Sequence, residues 1–198
     1  MLNGEIVSKK QSSSMLIGIT GTDGAGKGSA VSYMVNKKGF THYSSRDLIT
    51  LEVDKLGIPA TRENLRLTAN SMRMADGADV IVKCALKQIE ENKIENAVVE
   101  SIRAIKEAET LKKAGGILLV IDASPEVRYK RIKGRGSSSD KVSFEDFLKH
   151  EELEMNDPDP GGMQKAAVMK MADYTIMNNQ PLSKLYAEVD KFLSVYNS

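Results

Sequence analysis

The stretch Gly21-Thr-Asp-Gly-Ala-Gly-Lys-Gly-Ser29 decides the fold of this chain, because it stands between an apolar segment and a helical one. The preceding residues, 15 to 20, read Met-Leu-Ile-Gly-Ile-Thr and predict a buried strand. Residues 27 to 38 carry apolar side chains on one helical face and end before Gly39. The stretch fits G-x-x-x-x-G-K, in which glycines turn backbone N–H groups inward toward the positive end of a helix. This order of elements predicts a loop that cradles phosphate groups.

Two side chains of this loop carry the expected chemistry. Lys27 would bridge the β- and γ-phosphates of a nucleoside triphosphate, and the Ser29 hydroxyl would bind Mg²⁺. The Asn-Lys-x-Asp motif of GTPases is missing, and a large motor or AAA-type ATPase would need far more chain. We therefore expect ATP and Mg²⁺ as cofactors. The expected cofactor-binding residues of the loop are Gly21, Thr22, Asp23, Gly24, Ala25, Gly26, Lys27, Gly28 and Ser29.

Composition narrows the class of protein. The chain has 198 residues, 41% hydrophobic and 28% charged, which predicts a folded protein with one domain. Its 28 basic and 27 acidic residues give a net charge of +1, and aromatic residues make up only 5% without any Trp. We therefore expect no nucleic-acid partner and no membrane partner. Cys84 is the only cysteine, which excludes an internal disulfide and a cysteine-based zinc site and favours a cytoplasmic location.

Strand-like and helix-like segments alternate from residue 15 onward, which predicts an α/β fold. Five strands joined by helices give a three-layer sandwich with a five-stranded parallel sheet. Residues 1–14 are expected to form a flexible extension, and residues 15–198 a single domain. The predicted strands cover residues 15–20, about 40–43, 97–100, 116–123 and 174–177. Residues 46–93 are predicted helical, with breaks at residues 57–59 and near Gly77.

The Gly-Lys-Gly-Ser ending of the loop resembles the G-x-P-G-x-G-K-G-T loop of adenylate kinases and related nucleoside monophosphate kinases. Asp23 stands where those kinases have proline. The resemblance extends over most of residues 15 to 196 and implies a P-loop kinase fold. It also implies that residues 46–93 form a helical acceptor-binding region and that residues 135–142 form a short lid.

The turn after the second predicted strand also resembles these kinases. Ser44-Ser-Arg-Asp47 is similar to their S-T-G-D turn, which implies that Ser45 and Arg46 contact the acceptor and that Asp47 orients it. The family arginine that grips the acceptor phosphate falls on Thr50 here. Arginines of the following helices could supply that charge instead, and the sequence does not choose among them. They are Arg62, Arg66 and Arg73.

Glu100-Ser-Ile-Arg103 closes the third predicted strand and resembles the D-G-x-x-R turn of the family. The resemblance implies that Glu100 binds Mg²⁺ or its waters and that Arg103 binds the acceptor phosphate. Strand ends of α/β sheets are where ligand groups gather, although a helix-capping pair would also explain the pattern.

Two further segments resemble those with which the family binds the adenine and phosphates of ATP. Arg131-Ile-Lys-Gly-Arg135 matches the R-I-x-G-R entry to the lid, which implies that Arg131 packs over adenine and that Arg135 reaches the phosphates. Residues 172–179 are similar to the end of dephospho-coenzyme A kinases, where a loop packs against the donor adenine, and this places Asn179 in the cofactor site. The arginines that the family has within and after its lid are missing between residues 136 and 157.

The leading hypothesis is an ATP-dependent phosphotransferase with a nucleoside monophosphate-like acceptor. Its expected catalytic residues are Lys27, Arg103, Arg135 and Asp47. One alternative keeps the reaction and takes the ribose hydroxyl of dephospho-coenzyme A as acceptor. A second is a regulatory protein that binds ATP without kinase turnover, which the missing arginines favour. The oligomeric state stays open.

Overall fold

The computed structural model describes residues 14–134, 143–155 and 164–196. The expected extension, apart from Ser14, and the expected lid with Arg135 lie outside these residues. The strands are β1 (Met15–Thr20), β2 (Thr41–Ser44), β3 (Asn96–Glu100), β4 (Ile117–Asp122) and β5 (Tyr174–Met177). The helices are α1 (Lys27–Lys38), α2 (Ser45–Lys55), α3 (Arg62–Asp76), α4 (Val80–Glu91), α5 (Ile105–Lys113), α6 (Pro125–Gly134), α7 (Phe144–Met155), α8 (Lys165–Lys170) and α9 (Leu182–Tyr196).

The five strands form one parallel sheet in the order β2-β3-β1-β4-β5. In β1, Ile17 lies opposite Val98 of β3 and Ile117 of β4, which makes β1 the central strand. Ile17 and Ile19 are completely buried. The prediction of a five-stranded parallel α/β sheet is confirmed.

Two hydrophobic cores lie on opposite faces of the sheet, because side chains alternate along each strand. Ile17 and Ile19 pack with α1 and α9 in the first core. The second core joins β3 and β4 to helices α2 through α5 and to α8. Gly18 of β1 faces that second core, where an added Cβ would come within 2.3 Å of a Leu111 methyl carbon. Helices on both faces of the sheet produce the three layers.

Capping side chains fix where helices α2 and α3 begin. Ser44 caps α2 by accepting a hydrogen bond from Asp47 N at 3.0 Å, and Thr61 caps α3 by accepting one from Asn64 N. The predicted helical region 46–93 is thus three helices, broken where the sequence indicated. Strand β2 begins one residue later than predicted. The sequence analysis did not locate helices α5 and α8, which have only 9 and 6 residues.

No helix in the described parts of the chain is long and apolar enough to cross a membrane.

Candidate nucleotide and acceptor site

The loop between β1 and α1 is built from glycines in conformations that other residues avoid. Gly21, Gly24 and Gly26 have φ angles of 131°, 80° and 103°. A Cβ at Gly21 would lie 2.0 Å from the backbone oxygen of Ile121, and one at Gly26 would lie 2.5 Å from Nδ2 of Asn178. The loop backbone therefore packs where no side chain fits, and this leaves its concave side to backbone N–H groups and the start of α1.

Lys27 begins α1, and its amine lies against the loop. Its Nζ donates to the carbonyl oxygens of Gly21 at 3.0 Å and of Thr22 at 2.8 Å. Burial lowers the pKa of Lys27, and the positive charges of Lys165 and Arg103 lower it further, while Asp23 opposes the shift. This amine is held where the sequence predicted a phosphate-bridging lysine.

The loop fits a nucleoside polyphosphate. Its three left-handed glycines expose consecutive backbone donors at a helix N-terminus, the arrangement that binds phosphate oxygens in proteins. For a divalent cation, the described residues offer no group of three or more His, Cys, Asp or Glu side chains. Such a cation would have to be held by the Ser29 hydroxyl together with phosphate oxygens and water, which is how proteins usually bind Mg²⁺.

Thr22 connects the loop to the end of β4. It is buried, and its hydroxyl donates to Oδ1 of Asp122, which also accepts from the backbone N–H of Ala123 at 2.8 Å. In the structure this carboxylate anchors the loop to the sheet.

Asp23 and Lys165 form a contact that the sequence did not indicate. Asp23 Oδ1 lies 3.5 Å from Nζ of Lys165, whose side chain is 5% exposed, and 3.5 Å from Nζ of Lys27. Burial raises the pKa of the Asp23 carboxyl group, but the nearby cations Lys165, Lys27 and Arg103 outweigh burial and hold it below the usual value. Lys165 escapes sequence reasoning because it follows a Pro- and Gly-rich segment and belongs to no motif.

A recess of about 330 Å³ adjoins the loop on the side of α6 and α9. Arg131 lines it and donates to the carbonyl oxygen of Ala25 at 3.4 Å. Ser29 lines it as well, together with the buried Asn178. The amide of Asn178 donates to Ala25 O at 2.7 Å, while its Oδ1 is buried without a hydrogen-bond partner among the described residues.

Asn179, the neighbouring residue that the sequence selected, has a different position. It is exposed, does not line the recess, and accepts a hydrogen bond from the backbone N–H of Ser124 at 2.7 Å. The contact with the loop comes from Asn178 instead. Both asparagines directly follow β5, so residue type does not tell them apart. Only the register of the strand decides which of the two contacts the loop.

A second cavity of about 350 Å³ lies among α2, α3 and the segment after β3. Four arginines and one carboxylate provide its charged groups. Asp47 does not line this cavity; it is exposed and its backbone N–H is taken by the Ser44 cap. The side chain of Arg62 lies outside the described part of the structure. The lining residues are Ser45, Arg46, Ile49, Leu65, Arg66, Ala69, Arg73, Ser101, Arg103 and Glu107.

The segment after β3 owes its shape to Glu107, which the sequence did not indicate. Ser101 has a left-handed φ of 74°, and its N–H donates to the backbone oxygen of Ile19. The buried Glu107 carboxylate accepts from the N–H groups of Arg103 at 2.8 Å and Ala104 at 3.1 Å. Burial raises the pKa of Glu107. This carboxylate therefore fixes the backbone that presents Arg103 to the cavity.

Glu100 ends β3 beside His42 of β2, with 3.0 Å between Oε2 and Nε2. This hydrogen bond lowers the pKa of Glu100 and outweighs the opposing effect of burial. The backbone carbonyl oxygen of Glu100 accepts from the Ser45 hydroxyl at 3.2 Å, which ties the start of α2 to the end of β3.

Two solved structures share the fold of this chain. Shikimate kinase from Bacteroides thetaiotaomicron aligns with a TM-score of 0.59 at 15% identity, over 93% of this chain and 99% of that chain. The Thermus thermophilus protein TT1252 aligns with a TM-score of 0.61 at 18% identity, over 93% and 99% of the two chains. The predicted P-loop kinase fold is confirmed.

Sequence relatives cover nearly the whole chain. A UPF0200 protein of Methanocaldococcus jannaschii is 33% identical over 183 residues, 90% of this chain and 89% of the relative. A UPF0200 protein of Methanococcus vannielii is 33% identical over 186 residues, 92% and 93% of the two chains. A family model described as an AAA domain matches residues 17–157. The length of the chain therefore does not exclude an AAA-type protein, contrary to the expectation from the sequence. The chain therefore belongs to the UPF0200 proteins and to this AAA-domain family of P-loop proteins.

Proposed function

We propose that the protein is an ATP-dependent phosphotransferase that moves the γ-phosphoryl group of ATP to a small anionic acceptor, in the first place a nucleoside monophosphate. The observation that carries this proposal is the cavity lined by four arginines next to the glycine-rich loop. Arg103 lines that cavity and also lies near enough to the loop to lower the pKa of Lys27. Two anion-binding regions that share one cation suit a reaction joining two anionic substrates.

The residues of the chain would act mainly by positioning and charge. The loop glycines hold the donor phosphates, Lys27 bridges the β- and γ-phosphates, and Arg131 packs over the base. Arg46, Arg73 and Arg103 orient the anionic acceptor so that its oxygen attacks the γ-phosphorus while the bond to the β–γ bridging oxygen breaks. Mg²⁺, when bound, neutralises charge on the phosphate oxygens, and Ser29 and Glu100 are the residues that we propose hold it or its waters.

The acceptor is the open part of this proposal. A phosphate acceptor and a hydroxyl acceptor, such as the ribose of dephospho-coenzyme A, both require the anion-binding cavity. One structural neighbour is a shikimate kinase. Shikimate, a carboxylate with hydroxyl groups, is therefore also worth testing as an acceptor. We also place the reaction in the cytoplasm, since ATP is plentiful there and the single cysteine suits a reducing compartment.

ADP release from MgATP tests the proposal with nucleoside and deoxynucleoside monophosphates, dephospho-coenzyme A and shikimate as acceptors. We expect release that depends on one acceptor class and falls by about 100-fold or more in Lys27→Ala, which removes a cation from the transferring phosphates. Lys87→Ala is the matched control, because that lysine is exposed on α4 beside Glu91. Tight MgATP binding without acceptor-dependent release would contradict the transferase and favour the regulatory alternative.

A further inference from the structure

Asn178 is a buried amide that reaches the glycine-rich loop from the end of β5. Its own backbone is fixed to the sheet, because its N–H donates to the carbonyl oxygen of Asp122 at 2.6 Å. Its side-chain Nδ2 donates to the carbonyl oxygen of Ala25 at 2.7 Å, and Ala25 is completely buried. The loop is therefore held by a side chain that lies 153 positions away in the sequence.

This hydrogen bond fixes the orientation of one peptide group of the loop. No peptide bond in the described parts of the chain is cis, so the N–H of Gly26 points away from the carbonyl oxygen of Ala25. Arg131 also donates to that oxygen, at 3.4 Å. Because the oxygen is held on the side of Asn178 and Arg131, the peptide presents its N–H to the opposite side.

The N–H of Gly26 is available to a ligand. Gly26 is the N-cap of α1, and no hydrogen bond among residues 14–134, 143–155 and 164–196 uses its N–H as donor. A backbone donor at the start of a helix is the group with which a loop of this kind binds phosphate oxygens.

Gly26 does not fix this orientation by itself. Its φ angle of 103° lies in a region that favours glycine, the residue whose backbone turns most freely. The neighbouring amide restricts that freedom, since it packs so closely that a Cβ on Gly26 would lie 2.5 Å from Nδ2 of Asn178. The order of this peptide therefore comes from Asn178.

The second polar atom of the amide shows that its donor is what matters. Oδ1 of Asn178 is buried, and no described residue gives it a hydrogen bond. A buried oxygen without a donor costs free energy, which an apolar side chain of similar size would avoid. Turning the amide around would bring Oδ1 against the carbonyl oxygen of Ala25, and both atoms only accept. An amide at this position is explained by the hydrogen bond that Nδ2 gives to the loop.

We propose that Asn178 is a positioning residue for phosphate binding, which holds the carbonyl group of Ala25 so that the N–H of Gly26 donates to a phosphate oxygen of the bound nucleotide. Asn178 acts through this peptide and does not itself contact the phosphates. The inference rests on the proposed function only in so far as the loop binds a nucleoside polyphosphate, and it does not require phosphoryl transfer.

Calorimetric titration of the full chain with MgADP tests the inference, together with urea unfolding of each variant. We expect Asn178→Leu to weaken MgADP binding by about tenfold, since one hydrogen bond to a charged group is no longer aligned. The unfolding midpoint should stay close to that of the unmodified chain. One unpaired buried oxygen, Oδ1, is removed, while the oxygen of Ala25 loses its closest donor.

Asn92→Leu is the matched control. The Asn92 amide also donates to a backbone carbonyl oxygen, that of Gln88 at 2.8 Å, but it is exposed at the end of α4. This variant loses the same kind of hydrogen bond away from the loop, and it should leave the MgADP affinity unchanged.

The amide proton of Gly26 provides a signature that a purely structural contact would not give. At saturating MgADP, donation to a phosphate oxygen should move the magnetic resonance signal of this proton downfield in the unmodified chain, because a charged acceptor makes a strong hydrogen bond. The shift should be lost in Asn178→Leu, even when the concentration of MgADP is raised to saturate the variant.

An MgADP affinity within about twofold of the unmodified value in folded Asn178→Leu would overturn the inference and leave Asn178 as a structural anchor. An unchanged shift of the Gly26 proton would overturn it as well. If the leucine variant fails to fold, Asn178→Ala gives the same comparison without crowding the site.

Absence of MgADP binding to the unmodified chain would also overturn the inference. None of these measurements involves an acceptor, so the predicted loss of affinity supports the role of Asn178 even if no acceptor is ever phosphorylated. A failure of the proposed transfer is thereby kept apart from a failure of this inference.

Discussion

The glycine-rich loop and the arginine-lined cavity differ in how they are built. The loop consists of nine consecutive residues, Gly21 to Ser29, and its shape depends on backbone angles and the absence of side chains. The cavity is assembled from the side chains of α2, α3, α5 and the segment after β3. The loop can therefore accept few substitutions, whereas the cavity can change its side chains without changing the fold. Substitutions in the loop should therefore affect mainly stability, and substitutions in the cavity mainly binding.

The largest effect is expected at the loop. Gly21→Ala should lower the free energy of unfolding by about 3 kcal/mol or more, because the new Cβ meets a backbone oxygen and a left-handed angle is strained. The distance from that Cβ to Ile121 O would be 2.0 Å, and the φ angle is 131°. Urea unfolding followed by circular dichroism measures the change.

Gly28→Ala is the control for the loop, since a Cβ there meets nothing within 4 Å and the residue lies inside α1. It should be neutral or stabilising by up to about 1 kcal/mol, because alanine favours a helix more than glycine does. Equal unfolding midpoints for the two variants would mean that the loop relaxes around a side chain, and the contrast with the cavity would disappear.

A smaller and more selective effect is expected in the cavity. Arg73→Ala should raise KM for the acceptor by about tenfold and leave KM for ATP within about twofold, because it removes one charge-assisted contact. Arg66→Ala should have less effect, since Arg66 already pairs with Glu63 at 2.7 Å and both side chains are exposed. Steady-state kinetics with the acceptor that gives the fastest ADP release provides both constants. A larger rise in KM for ATP than for the acceptor would contradict the assignment of the cavity.

The smallest effect concerns the carboxylate that shapes the cavity. Burial raises the pKa of Glu107 in the folded state, so the folded protein keeps a proton that the unfolded chain releases. Stability of the unmodified protein should then fall as pH rises from the unfolded value of about 4.3 through the raised pKa. The variant Glu107→Gln does not lose stability in this way, because its amide does not titrate. The amide oxygen can still accept hydrogen bonds from the N–H groups of Arg103 and Ala104.

We expect the free energy of unfolding of Glu107→Gln to exceed that of the unmodified protein at pH 7, and the difference to shrink as pH falls toward 4. Urea unfolding at several pH values measures the difference. Glu109→Gln on the same helix is the control, since that acid is on the surface and pairs with Lys106. A difference that grows toward low pH would contradict the direction of the shift.

The sequence predicted the parts of this molecule whose signals are local. The loop, the lysine that begins α1 and the five strands all follow from neighbouring residues and their periodicity. Arg46, Arg73 and Arg103 line one cavity, and each belongs to an element that the sequence located.

The missed residues depend on contacts between distant segments. Lys165 meets Asp23 across 142 positions, and His42 meets Glu100 across 58. Glu107 was missed because α5 itself was missed. The sequence selected Asn179, but Asn178 is the residue that contacts the loop. Which of these two asparagines points inward depends on the register of β5, and residue type does not reveal it.

The position of β1 at the centre of the sheet has a consequence for synthesis on the ribosome. β1 pairs with β3 and β4, and β2 pairs with β3, so the sheet cannot begin to form before residues 96–100 have been made. During the seconds that translation of this interval takes, Ile17 and Ile19 have no strand beside them, although both are fully buried in the finished protein. The nascent chain thus exposes two apolar side chains that later lie in the core. The glycine-rich loop acquires its shape only after β4 has been made, because Gly21 packs against the backbone of Ile121.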